Sequence, residues 1–202
     1  MEEHEILQNI KDAAQDALYF YSNRGKEERE RWVVKELLKF LGIPHENSEI
    51  ISHEQNSKTD VEFRKCSFQI KEIPDPCILR SKYYKDQYNA IKSARKLEDI
   101  ELPATVAQDT PEITRMYDLV LLESQKLSES DVYLTTKNEL DLVFYVTRTR
   151  ASLVSNEEIN AKDFVNLGWR SISCLNAKQA VVLFASKKAP AFFKTNERQI
   201  FG

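Results

Sequence analysis

Glycine and proline are scarce here, four and six residues among 202, so a long flexible linker or a low-complexity segment is excluded. No internal repeat stands out, and 42% hydrophobic content suffices for one core-bearing domain over 1–202. Within it the sequence predicts an N-terminal helix over 1–22, a core over 26–148 and a C-terminal extension over 149–202. Cysteine is scarce too: Cys66, Cys77 and Cys174 are odd in number and lack the close paired spacing of a disulfide framework or a structural zinc site. That usage fits a reducing cytoplasm. Charge of one sign is not in excess: 29 basic against 32 acidic residues leave a net −3, so any phosphate contact has to come from a local patch. No apolar run approaches the ~18 residues of a membrane span, and Met-Glu-Glu-His-Glu at the start lacks the parts of a signal peptide. A cytoplasmic protein off the membrane is expected. A glycine-rich phosphate loop is missing, which separates any activity from nucleotide hydrolysis within this chain. His4, His45 and His53 are widely spaced and read as surface residues, not as a metal cluster or a catalytic dyad.

What is present is a clear alternation of periods. Ile6, Ile10, Ala13, Ala14, Ala17 and Leu18 predict a first amphipathic helix, and Val33, Val34, Leu37 and Leu41 a second over 26–41 that stops at Gly42-Ile43-Pro44. Extended segments follow at 49–52, 60–64 and 67–73, before Pro74 and Pro76 break the pattern. A helix is expected over 79–97, and another from Asp109-Thr110-Pro111-Glu112, where an N-cap and a first-turn proline coincide. Strands at 140–146, 169–175 and 180–185, with a short helix over 155–164, complete the order α-α-β-β-β-α-α-β-(α)-β-β. This is an α/β fold with a central mixed sheet flanked by helices.

The chemistry concentrates in Asp60-Val-Glu-Phe-Arg-Lys-Cys-Ser-Phe-Gln69-Ile-Lys71. Strand alternation puts Gln69 and Lys71 on one face and Phe68 and Ile70 on the other, and a hairpin brings Asp60 toward the first pair. Carboxylate, amide oxygen and ammonium are the groups that hydrolyse a phosphodiester with a divalent cation. The plain alternative is a strand-start Asp60 with Gln69 and Lys71 on a solvated face. On a helical wheel Glu30 joins the apolar stripe of Val33, Val34 and Leu37. A carboxylate facing a core needs a cation or a hydrogen-bond network, unless it lies in an exposed first turn where the helix dipole favours it. Glu27, Glu28 and Glu36 read as solvated neighbours.

A helix reading Glu30-Arg-Trp-Val-Val-Lys-Glu-Leu-Leu-Lys-Phe-Leu-Gly42, a strand, then Asp60 and Gln69-x-Lys71 on consecutive strands, then a helix, resembles the PD-(D/E)XK nuclease superfamily. Its restriction-endonuclease-like α-β-β-β-α-β core spans 26–148. The phrase Glu28-Arg-Glu-Arg-Trp-Val33 also resembles a small bacterial family of uncharacterised proteins described only as candidate endonucleases. The resemblance implies that Asp60 ligates magnesium or manganese, that Gln69 stands where the superfamily more often has Glu, and that Lys71 orients water and stabilises charge on the phosphate. It implies that Glu30 completes the ligand set as the helix-borne acid. Gln69 is a departure, since a neutral amide binds a hard cation weakly and leaves it leaning on substrate phosphates. Thr59 also replaces the pattern's proline. Glu62 shares the face of Asp60, as an extra ligand or a cross-strand partner, whereas Glu72 turns to the other face.

For the DNA, Lys82, Lys85, Lys92, Arg95 and Lys96 with Tyr83, Tyr84 and Tyr88 form a basic, aromatic segment that contacts phosphates in the functional reading and is a packed, solvated helix in the plain one. The leading expectation is a metal-dependent DNA endonuclease. Its competitors are a nuclease-fold protein that binds nucleic acid without cutting, and an interaction subunit whose first helix packs on a partner or a second copy.

Overall fold

A computed structural model describes residues 2–54, 56–76, 80–101 and 112–202. The chain forms two compact units: Met1–Arg29 with Pro76–Thr110, and Glu30–Asp75 with Pro111–Gly202. Its first helices are α1 (Glu3–Phe20), α2 (Lys26–Phe40) and α3 (Arg80–Lys92). In the first unit α1 pairs with α3. The Tyr21 ring stacks on Tyr84 at 4.2 Å, the Arg80 guanidinium lies 4.7 Å from the Tyr21 centroid, and Lys11 Nζ donates to Ala94 O at 2.6 Å. α3 ends short of the expected 97 because the Asp99 carboxylate accepts from the Arg95 and Lys96 N–H groups at 2.9 and 3.1 Å, an arrangement that competes with helix continuation.

Gly25 lets the turn between α1 and α2 close. A Cβ there would lie 2.4 Å from the Tyr19 carbonyl oxygen and 2.8 Å from Phe20 Cα. Gly25→Ala is therefore expected to cost about 1–3 kcal/mol through overpacking, read as a lowered midpoint in thermal denaturation.

The second unit is built on strands β1 (Ile50–Ser52), β2 (Val61–Phe63), β3 (Cys66–Ile73), β4 (Thr114–Arg115), β5 (Asp141–Val146), β6 (Ala151–Ser152), β7 (Ser171–Leu175), β8 (Ala180–Ala185) and β9 (Ile200–Phe201). Helices α4 (Met116–Ser128), α5 (Lys162–Val165) and α6 (Ala191–Thr195) accompany them. Among the described residues seven strands form one sheet in the order β1-β2-β3-β5-β7-β8-β9, while β4 and β6 pair separately. β1, β2 and β3 run antiparallel, β3, β5 and β7 parallel, and β8 and β9 antiparallel again. This is the mixed α/β sheet flanked by helices that the sequence predicts. The helix expected from Asp109 starts at Met116, after Thr114 and Arg115 have paired as β4; Asp109, Thr110 and Pro111 lie outside the described residues. Among the described residues no helix is long and apolar enough to cross a membrane.

Alternation along the strands separates two cores. Phe68, Ile70 and Val143 meet Val33, Val34 and Leu37 of α2 on one face. Ile73, Leu142, Phe144 and Val146 meet Met116 and Val120 of α4, with Phe164 and Trp169, on the other. α2 stops where Gly42 takes a φ of 65° and Ile43 N–H donates back to Leu38 O at 2.9 Å, a glycine C-cap.

Candidate active site

Register explains how the chemistry-bearing residues meet. Val61 pairs with Phe68 in the antiparallel β2–β3 ladder, and Asp60 N–H extends it by donating to Phe68 O at 2.8 Å. Asp60 thus stands across from Gln69. Its Oδ2 accepts the Ile70 N–H at 2.8 Å and makes a second, short hydrogen bond from Gln69 Nε2. Gln69 and Lys71 stand beside Leu142 and Phe144 in the parallel β3–β5 register, on the α4 face. Lys71 Nζ lies 5.7 Å from the Tyr133 ring centroid, a cation–π contact that restrains the ammonium. The structure therefore brings Asp60, Gln69 and Lys71 to one face. Asp60 and Gln69 are only 9% and 3% exposed, which is unlike a solvated sheet surface.

Glu30 is buried, 8% exposed, as its place in the apolar stripe predicts. α2, which carries it, packs on the face of Phe68, Ile70 and Val143, the face opposite Gln69 and Lys71. The helical wheel fixes which side of α2 faces the sheet but carries no information on which face of the sheet receives it. Glu72 also turns away from Gln69, as alternation requires, and accepts from Thr147 Oγ1 at 2.9 Å. Glu62 shares the Asp60 face and holds His53, Nε2 to Oε2 at 3.0 Å.

Can these residues hold a divalent cation? The donors are oxygens, the class that magnesium and manganese take. The direct contact between Asp60 and Gln69 shows two polar heads converging on one point, and half a turn of the Gln69 amide exchanges Nε2 for Oε1 almost in place. Among the described residues no group of three or more His, Cys, Asp or Glu side chains has metal-holding spacing. One carboxylate and one amide are thus what this face offers a cation, with water and substrate phosphate left to complete any coordination.

Lys82, Lys85, Lys92, Arg95 and Lys96 are all exposed, in the first unit. Lys92 Nζ lies 5.6 Å from the Tyr88 centroid, and Lys96 pairs with Glu98. Tyr84 is committed to its stack on Tyr21, and burial pushes its pKa up. The tyrosines pack and the lysines face solvent, so this helix presents charge more than base platforms. Cys66 and Cys174 are buried free thiols, and burial pushes Cys66 up to about 12; Cys77 lies outside the described residues.

Sequence reasoning missed two pairs. His53, read as a loop surface residue, is tied to Glu62; the signal available was that Ile51 and His53 alternate onto one face. Asp141, read as part of an apolar strand, is wholly buried and bound by Arg170 Nε at 3.0 Å, by a second Arg170 nitrogen and by Ser171 Oγ at 2.7 Å.

No curated protein matches the chain. Among solved structures, a protein of unknown function, PA4535, from Pseudomonas aeruginosa strain PAO1, described as of the monooxygenase superfamily, is similar at 23% identity and a TM-score of 0.64. The match covers 100% of this chain and 96% of that one, and at such identity it is a likeness of fold. The sequence model of one family spans residues 2–202, and the chain belongs to that family, DUF1780, whose description reads "Putative endonuclease, protein of unknown function".

Proposed function

We propose that this chain is a metal-dependent DNA endonuclease of the PD-(D/E)XK type whose reacting site is Asp60, Gln69 and Lys71. The observation that carries the reading is the direct Asp60–Gln69 contact on the sheet face that also bears Lys71. Membership of a family whose description reads "Putative endonuclease, protein of unknown function" supports it. Asp60 and Gln69 would hold magnesium or manganese, which, when bound, supplies charge neutralisation at the phosphate and acidifies water. Ile70 N–H fixes the orientation of the Asp60 carboxylate. Lys71, restrained over Tyr133, places a positive donor where negative charge develops on the phosphate oxygens. Glu30 is carried by α2, which packs on the other face of the sheet.

The test is a panel of linear, circular, single-stranded and branched DNA with Mg2+ or Mn2+, run beside Lys71→Ala so that a contaminating nuclease is recognised. Cleavage by wild type alone is expected, with EDTA abolishing it. Burial of Asp60 and Gln69 favours a second reading, a nuclease-fold protein that binds DNA without cutting; salt-dependent binding with no cleavage in any arm selects that one. In either reading the exposed lysines of α3 contact phosphates. Alanine at Lys82, Lys85 and Lys92 is then expected to lower the slope of log affinity against log salt by about 1 for each phosphate no longer neutralised. An unchanged slope removes this helix from the interface.

A further inference from the structure

We propose that His53 is a further ligand of this site, so that the site takes Mn2+, or a later first-row ion, in preference to Mg2+. The inference rests on the reading of Asp60 and Gln69 as ligands. Backbone bonds place the three residues in one row across the sheet: His53 N–H donates to Asp60 O at 3.0 Å, and Asp60 N–H donates to Phe68 O at 2.8 Å, next to Gln69. Cross-strand neighbours on one face have Cβ atoms about 4.5–5.5 Å apart. His53 now turns its Nε2 to Glu62, and rotation of its side chain, with the half-exposed Glu62 following, brings the imidazole to the Asp60 carboxylate.

Glu62 supplies the second argument. Its Oε2 lies 3.0 Å from His53 Nε2, which leaves Nδ1 as the ligating nitrogen and repeats the carboxylate–histidine–metal arrangement in which the outer carboxylate fixes the ring. Exposure supplies the third. The side chains of His53 and Glu62 are 36% and 45% exposed, whereas Asp60 and Gln69 are buried, so the row runs from solvent inward with His53 where an ion enters. A nitrogen ligand beside hard oxygens shifts preference from magnesium toward first-row transition ions.

The chain has three histidines, so their ring protons are separable by NMR, and Mn2+ broadens those beside it. With MnCl2 well below stoichiometry, the His53 signal is expected to vanish while His4 and His45 persist, and Mg2+ restores it only at ten-fold or greater excess. Asp60→Asn should abolish the selectivity. Equal broadening of all three rings, or selective broadening that survives Asp60→Asn, overturns the shared site. Uptake of Mn2+ measured by electron paramagnetic resonance separates the two claims. Uptake lost in Asp60→Asn but unchanged in His53→Ala, with both variants folded by circular dichroism, overturns the role of His53 and leaves the reading of Asp60 standing. A folded wild type that takes up no Mn2+ and cleaves no DNA overturns both.

Discussion

Lys71→Ala is expected to lower DNA cleavage by roughly 10²–10³-fold while leaving the protein folded, the effect of removing one preorganised donor from a developing oxyanion. The stability cost should be small. Lys71 is only partly buried, and its contact with Tyr133 is worth about 0.5–1 kcal/mol at such a site. A large loss of activity with little change in denaturation midpoint would thus report chemistry. Asp60 needs a more careful substitution. Alanine there leaves the buried Gln69 amide and the Ile70 N–H without their acceptor, a penalty of about 1–3 kcal/mol that confuses folding with function. Asn retains an acceptor for Ile70 N–H and removes the charge. Asp60→Asn is therefore expected to match Lys71→Ala in its fall in cleavage and to remain folded; equal activity in wild type and Asp60→Asn would remove the carboxylate from the chemistry.

Asp141→Ala should produce the largest loss of stability in the second unit, about 3–5 kcal/mol, because it leaves the Arg170 guanidinium with an uncompensated charge in a site where Asp141 itself has no exposure. Against a typical total of about 5–15 kcal/mol, that is enough to populate the unfolded state on modest heating. Burial pushes the Asp141 carboxyl up, against the pull of Arg170 and of the Ser171 hydroxyl, all of which bond to it. Removing the whole pair should be far milder than removing half of it. Asp141→Leu with Arg170→Met is expected to recover most of that stability in urea denaturation, since the penalty lies in the orphaned charge. A single Asp141→Ala variant as stable as wild type would show that the pair is not closed to water.

Local period carried most of the fold. Val33, Val34 and Leu37 announced α2, and the β-branched and aromatic runs announced β5, β7 and β8, because each element buries a face set by its own residues. The short α6 and the two-residue β9 have too few residues for a period to register. The pairing of α1 with α3 rests on Tyr21 meeting Tyr84, a contact between residues far apart in sequence. The site divided in the same way. Gln69 and Lys71 were legible as one face because alternation is local, and Asp60 followed from the hairpin. Glu30 was legible as buried, but the sheet face that receives α2 was not, and Asp141 was hidden because its partner Arg170 lies on the far side of a crossover.

Cutting of DNA is proposed for the sheet face that bears Asp60, Gln69 and Lys71. Supercoiled circular DNA incubated with wild type, Lys71→Ala and Asp60→Asn in Mn2+ tests it most directly, because one internal break changes the topology and an exonuclease leaves a closed circle intact. Nicked and linear circles are expected from wild type and unchanged supercoils from both variants. Equal nicking by all three proteins, each folded and equally pure, would contradict it.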